Sequence, residues 1–215
     1  MSSYNDLKTQ KAKIFGSLSQ FYFVVFGQSL EGGRKRAKEL IEAENTKKIL
    51  EVGVGTGLTF KYYPDGSEIT GIDINEPMIK QSLKRSLEFP KLKIDLACQD
   101  ATKLPYANST FDCTYAPSVL SVVHDANAVF REMIRVTKPG GLIIAICYAQ
   151  SHSFFDQMVA RVAGRATEKY LGFHMRLHED FFKGFEELHP LSKDAVNRVG
   201  PFSLSTLFSF KKKVN

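Results

Sequence analysis

Apolar residues along this chain gather in short runs, separated by stretches in which they recur every third or fourth position. The run "KKILEVGV" (47–54) reads as a buried strand, and "SEITGIDIN" (67–75) as a second, short and β-branched. "EPMIKQSLKRSLEF" (76–89) has helical spacing: Pro77 suits the first turn, and Met78, Ile79, Leu83 and Leu87 supply the apolar face. "LKIDLACQD" (92–100) predicts a third strand, and "TFDCTYAPSVL" (110–120) contains a fourth. "ANAVFREMIRVTK" (126–138) predicts a helix stopped by Pro139-Gly140-Gly141. "LIIAICYA" (142–149) is apolar throughout, as expected of a central parallel strand. Residues 153–190 are patterned mostly as helix, with an apolar stripe at Phe154, Phe155, Met158, Val159 and Val162; "SLSTLFSFKKK" near the end alternates as a final strand. This alternation predicts an α/β fold, a doubly wound, mostly parallel sheet with helices on both faces. Residues 8–44 are helix-patterned too, with a break near Gly27–Gly33, so the expected division is an N-terminal arm (1–44) and a main domain (45–215).

Ligands of such sheets bind beyond the carboxyl ends of the strands. The first strand ends in Glu51 and then Gly53, Gly55 and Gly57. This spacing is G-x-G-x-G; a dinucleotide fingerprint would need a glycine where Leu58 stands, and no Lys-Ser/Thr pair follows to make a phosphate loop. A carboxylate at the base of the loop suits a cationic ligand end better than a pyrophosphate. Asp73 ends the second strand about 20 residues on, where an acid accepts from ribose hydroxyls. Asp100 ends the third, where a carboxylate can accept from an adenine amino group.

"ILEVGVGTG", "GIDIN", "QDATKLPY", "TFDCTYAPSVL" and "MIRVTKPGG" stand in the order and spacing of class I S-adenosylmethionine-dependent methyltransferases, which the chain resembles over roughly residues 45–148. The resemblance implies a Rossmann-like sheet of seven strands and S-adenosyl-L-methionine as cofactor. It implies that Glu51, Gly53, Gly55 and Gly57 line the methionine portion and that Asp73 takes the ribose. Ile74 would lie against the adenine face, Asp100 and Ala101 at its edge, and Ala116 at the fourth-strand end of the same site.

Composition adds one thing. The net charge is +6, and most of the excess lies in the arm: Lys8, Lys11, Lys13, Arg34, Lys35, Arg36 and Lys38 against Asp6 and Glu31. Ile14, Phe15, Leu18, Phe21, Tyr22, Val25 and Phe26 recur there at helical spacing. Such a helix can lie at a lipid boundary with its basic residues on anionic head groups, or pack on the domain as a lid; both readings stand at this point. Lys211–Lys213 read as a solvated, frayed tail. Cys98, Cys113 and Cys147 read as reduced core residues without metal-ligand spacing, and no metal is expected. No apolar run approaches the roughly 20 residues that span a bilayer. The expected location is therefore cytoplasmic, peripherally on the inner face of the membrane.

The arm and "APSVLSVVHDANAVFREMIRVTKPGG" further resemble the soluble bacterial phosphatidylethanolamine N-methyltransferases. Tyr22, Phe26, Gly27, Gly33 and Arg34 match that family's arm, and Phe23 stands where the family has Asp. The resemblance implies a phospholipid acceptor, and residues 8–38 as the contact with an anionic membrane. An ammonium acceptor must lose a proton before it can attack. Tyr22 and His124 are the catalytic candidates, with Tyr115, Ser118 and Ser121 beside them; His124-Asp125 is also an ordinary helix-capping sequence. Three alternatives stand behind this reading. One is a quinone-ring C-methyltransferase; a second is a membrane-associated S-adenosylmethionine-binding protein without catalysis. Nucleic-acid methylation is third: the arm could meet phosphates, but "APSV" stands where an Asn/Asp-Pro-Pro-aromatic motif for base amino groups would be, so no nucleic-acid partner is expected.

Overall fold

A computed structural model describes residues 30–147, 149–150, 177–199 and 202–214. The stripe from Ile14 to Phe26, with Tyr22, Lys8, Lys11 and Lys13, lies outside the described residues, as does the stripe at Phe154–Val162.

The sequence-predicted strands assemble into one sheet. In chain order the elements are α1 (Glu31–Ala43), β1 (Lys48–Val52), a short 3₁₀ turn (Phe60–Tyr62), β2 (Glu68–Asp73), α2 (Glu76–Ser86), β3 (Lys93–Cys98), β4 (Phe111–Pro117), α3 (Ala126–Val136) and β5 (Thr137–Cys147). Then come the two-residue strands β6 (Ala149–Gln150) and β7 (Leu177–His178), a 3₁₀ segment (Glu179–Gly184), β8 (Leu188–Val199) and β9 (Phe202–Lys212). Seven strands form the sheet in the order β3-β2-β1-β4-β5-β9-β8, with β9 antiparallel to both neighbours and the other pairings parallel. The order reverses between β1 and β4, which places the ligand crevice of an open α/β sheet at the carboxyl ends of those two strands.

Alternation along the central strands divides the core in two. Leu50, Val52, Ile72, Ala116, Ile143 and Ala145 pack with Val129, Phe130 and Met133 of α3 and with Phe182, Phe185, Phe208 and Phe210. Ile49, Ile69, Cys113, Tyr115, Ile144 and Ile146 pack on the other face, against Ala37 and Ile41 of α1 and Ile79 of α2. Glu51 shares the parity of Ile49, so strand geometry alone turns its carboxylate toward the α1 face.

Several sequence expectations are corrected here. Helix α1 starts at Glu31, so Gly32 and Gly33 lie inside it and not in a break. On α2 the buried positions are Met78, Ile79 and Ser82; Leu83 and Leu87 are exposed, because the helix packs on the sheet edge through one narrow stripe. Helix α3 gives way to β5 already at Thr137, before Pro139. Phe111 pairs with Thr137 and Cys113 with Leu142, so Lys138–Gly141 bulge out of the ladder. The helical reading of residues 153–190 fails over its described end, where Leu177–His178 and the segment from Leu188 are strand. β8 is an edge strand paired only with β9, and an edge strand carries polar residues that hide its alternation. Cys98 is exposed, unlike the buried Cys113 and Cys147.

The lysines at the end of β9 are not a frayed tail. Lys211 pairs with Glu44 just past α1. Lys212 Nζ donates to the carbonyls of Ile134 and Thr137, each at 2.8 Å, and so closes the C-terminus of α3 with a positive charge. Lys212→Met should lower the unfolding free energy by about 1.5–3 kcal/mol, the value of hydrogen bonds to a charged donor. Urea denaturation reads this directly; a variant as stable as the parent would return Lys212 to the solvent.

Candidate active site

Glu51 is fully buried at the end of β1. Its Oε2 accepts from the Tyr63 hydroxyl at 2.8 Å, while Oε1 has no hydrogen-bond partner among the described residues. Burial pushes the carboxyl up to about 7, against the Tyr63 and Thr59 hydrogen bonds and the nearby Arg34 charge, which pull it down. Arg34 is itself buried, on the stripe of α1 that also carries Ala37 and Ile41. A charged residue in the buried phase of an apolar helical stripe was the available sequence signal for it. Tyr63 had none. Tyr115 is the register partner of Glu51 on β4 and is also fully buried, with no partner for its hydroxyl among the described residues. Burial, followed by the Glu51 charge, raises its phenol well above the ordinary value, which keeps it protonated, a hydrogen-bond donor and not the proton acceptor its position suggested.

The loop after β1 is held from three sides. Gly53 and Val54 donate to the Ile72 carbonyl at 2.8 and 2.9 Å. The Gly55 amide donates to Asp73 Oδ2 at 3.0 Å, and Asp73 Oδ1 accepts from the Asn75 amide at 2.9 Å. Arg85 of α2 donates to the Thr56 carbonyl at 3.0 Å. Gly53 has φ +77°, and a Cβ on it would stand 2.8 Å from Val119 Cβ, so the β4-end segment can close down only on a glycine. Gly55 has φ +55° with open space beside it, where a ligand can approach this backbone closely.

The other predicted residues fall around that opening. Ile74 is 54% exposed, a large apolar side chain presented beside Asp73. Asp100 is exposed and accepts from the Thr102 amide and hydroxyl at 3.0 and 2.8 Å, so in this state it also caps its own turn. Ala101 packs on the core edge and Ala116 is buried in β4. The turn after Asp100 is fixed by residues that sequence reading passed over. Arg135 donates to the Leu104 and Tyr106 carbonyls at 3.0 and 2.8 Å, and Glu132 accepts from the Leu104 amide at 2.6 Å. Their i, i+3 spacing on α3 was the visible clue. His124 is exposed, one residue before Asp125, which caps α3 through the Ala128 amide at 2.9 Å. Ser118 is buried at the end of β4 with φ +73°, a left-handed conformation that is strained for a serine. Of the basic run in α1, Arg34 is buried, Arg36 binds Asp194 at 2.9 Å, and Lys35 and Lys38 pair with Glu31 and Glu42. Arg34 and Arg36 are therefore engaged within the domain, while Lys35 and Lys38 stay on its surface. Among the described residues no helix is long and apolar enough to cross a membrane, and no group of His, Cys, Asp or Glu is placed to hold a metal.

Comparison with known proteins agrees with this geometry. A family model described as a methyltransferase domain matches residues 50–145. The chain is 32% identical over 193 residues to the phosphatidylethanolamine N-methyltransferase of Cereibacter sphaeroides, covering 88% of this chain and 90% of that one. It is 28% identical over 212 residues to the demethylmenaquinone methyltransferase of Staphylococcus aureus, covering 94% and 83%. A crystal structure from Thermotoga maritima, described as an S-adenosylmethionine-dependent methyltransferase and possible histamine N-methyltransferase, superposes with a TM-score of 0.68 at 19% identity, over 94% of this chain and 99% of that one. The protein belongs to the class I S-adenosylmethionine-dependent methyltransferases. It is an enzyme whose cofactor is S-adenosyl-L-methionine. The residues present fit that molecule: a buried carboxylate oxygen without a partner among the described residues for a cation, open space beside the Gly55 α-carbon, and an apolar ledge beside a strand-end aspartate.

Glu51 binds protons more tightly folded than unfolded, so its ionisation destabilises the fold as pH rises from its ordinary value of 4.5 to about 7. Glu51→Gln should therefore match the parent below pH 4.5 and be more stable by about 3 kcal/mol above pH 7. Urea melts at several pH values test this; a pH-independent difference would mean the carboxyl does not titrate in that window.

Proposed function

We propose that this enzyme methylates the amine of phosphatidylethanolamine and of its methylated forms, toward phosphatidylcholine. The observation that carries the reading is the likeness to the Cereibacter enzyme over nearly the full length of both chains. The site supports it. S-adenosylmethionine supplies an activated methyl group on a sulfonium; the chain has to align an amine with it and keep water out. Pro117–Val123, which follows the strand end, carries no charged residue. A poorly hydrated site disfavours an ammonium, so an amine held there gives up its proton to a modest acceptor. His124 and Tyr22 are the acceptors in this reading, Tyr22 from outside the described residues.

On the cofactor side, Glu51 meets the ammonium of the amino-acid end, and Gly53, Gly55 and Gly57 give the backbone edge along it. Asp73 binds the ribose, Ile74 covers the adenine face, and Asp100 and Ala101 read its edge, with Ala116 beneath. Residues 8–38 bring the site to an anionic membrane surface. Because Arg34 and Arg36 are engaged within the domain, Lys8, Lys11 and Lys13 supply the charge for that contact.

Incubation with labelled S-adenosylmethionine and defined acceptors tests the substrate: phosphatidylethanolamine and its monomethyl form should take label, and a demethylated quinone should not. Label in the quinone alone would replace this reading with ring C-methylation, the activity named for the Staphylococcus relative. Asp73→Ala should weaken S-adenosylmethionine binding by roughly 1.5–3 kcal/mol in calorimetry, the value of hydrogen bonds to a charged acceptor. Unchanged affinity in a folded variant would leave Asp73 as a brace for Gly55. Replacing Lys8, Lys11 and Lys13 with Glu should cut co-sedimentation with anionic vesicles at low salt, by about 1 kcal/mol for each charge, and change little on neutral vesicles. Equal sedimentation of parent and variant would remove the arm's electrostatic role.

A further inference from the structure

The segment that leaves β4 carries a serine in a costly setting. Ser118 follows Pro117, the last residue of the strand, and its amide donates to the Ile146 carbonyl of β5 at 2.8 Å. Its φ is +73°, a left-handed conformation that glycine adopts freely and a serine only under strain. The residue is 6% exposed, and Oγ has no hydrogen-bond partner among the described residues. Glycine at this position would relieve both costs. Strain and an unused polar atom on one residue point to a bound partner as the role of the hydroxyl.

Its place says which partner. Val119, the next residue, closes on the glycine loop, where a Cβ on Gly53 would stand 2.8 Å from Val119 Cβ. The chain then turns, with the Val122 and Val123 amides donating to the Val119 carbonyl at 3.0 and 3.2 Å. Ser118 is thus pinned between β5 and the loop, at the crevice where strand order reverses. With adenosine at the ends of β2 and β3, as proposed above, the sulfonium end of the cofactor points toward β1 and β4, and the acceptor meets it there. Ser118 and Ser121 are the polar side chains of Pro117–Val123, and Ser121 is hydrogen-bonded to Cys147.

We propose that Ser118 Oγ accepts an N–H of the attacking amine in the first two methyl transfers, and that the third transfer runs without this contact. The inference rests on the phospholipid-amine reading. In each transfer the nitrogen lone pair forms the N–C bond while the methyl carbon's bond to the sulfonium sulfur breaks, its electron pair staying on sulfur. Positive charge passes to nitrogen, so an N–H···O bond strengthens as the reaction proceeds. A neutral primary amine has two N–H groups and its monomethyl form one; each product then loses a proton to the proton acceptor. The dimethyl amine has no N–H, and its quaternary product has no proton to release. A hydroxyl oxygen can therefore aim the lone pair of the first two substrates and not that of the third.

Ser118→Ala and Ser118→Gly, assayed on three lipids in detergent micelles, test this. Turnover of phosphatidylethanolamine and its monomethyl form should fall by about tenfold or more in both variants, while the dimethyl form keeps its rate within about twofold. Calorimetric affinity for S-adenosylhomocysteine should match the parent. Without ligand, Ser118→Gly should melt above the parent, because it removes the strain and the unpartnered hydroxyl together. An equal fall on all three lipids, no fall on any, a loss of S-adenosylhomocysteine affinity with the lipid ratio unchanged, or a Ser118→Gly variant that melts below the parent would overturn the role of Ser118 and leave the phospholipid reading standing. So would a parent that never methylates the dimethyl form, since it has no third transfer. A parent that labels a demethylated quinone and none of the lipids removes that reading and the inference with it.

Discussion

A carboxylate with no exposure to water at the end of a central strand is the constraint around which this molecule is arranged. Moving an ionised group out of water is costly unless a partner charge and hydrogen bonds replace the solvent. Glu51 has part of that replacement from Tyr63 and the neighbouring Arg34, and its proton affinity rises to hold the balance. A cation placed at Oε1 would satisfy that oxygen and favour the ionised form, so any ligand that supplies one is coupled to the charge of Glu51.

The rest of the site follows from the sheet. Strand parity sends Glu51 and Tyr115 to the α1 face, while Ala116 and Val52 go to the α3 face. The reversal of strand order between β1 and β4 leaves a gap above that pair, and the glycine loop covers it. Asp73 is bound into the loop through Gly55, so the strand-end carboxylate and the loop conformation are fixed together. Arg85 from α2 and the Glu132–Arg135 pair from α3 hold the flanking segments by their carbonyls and amides. The opening is therefore framed by backbone groups tied to three helices and strands, which keeps a ligand's approach to Gly55 defined.

What could be read from the sequence was what depends on local pattern. The five apolar strands, the loop spacing and the acids at three strand ends are each set within about ten residues, and the fold places them where the spacing implies. What could not be read depends on tertiary partners. β8 has a polar sequence because it is an edge, so its strand character comes from β9. Leu83 and Leu87 obey helical spacing yet stay exposed, since α2 meets the sheet through only one turn-wide stripe. Lys212 looks like a tail charge until β9 carries it to the end of α3. Arg34 and Tyr63 come from segments on either side of β1, and only the folded chain brings both to Glu51.

The ends of β1 and β4 concentrate groups that cost stability. A buried polar atom without a partner costs about 1–3 kcal/mol, and Glu51 Oε1, Tyr115 Oη and Ser118 Oγ, none with a partner among the described residues, lie near the ends of two adjacent strands. Ser118 adds a strained backbone at the same place. These costs are tolerable because the strands that bear them run through the best-packed part of the molecule, where Leu50, Val52, Ala116, Ile143 and Ala145 are fully buried. A more stable sequence would replace the unpaired groups with apolar ones of similar shape, and it would bind a charged ligand less well. The polar residues at these strand ends therefore cost stability that apolar residues of the same shape would not.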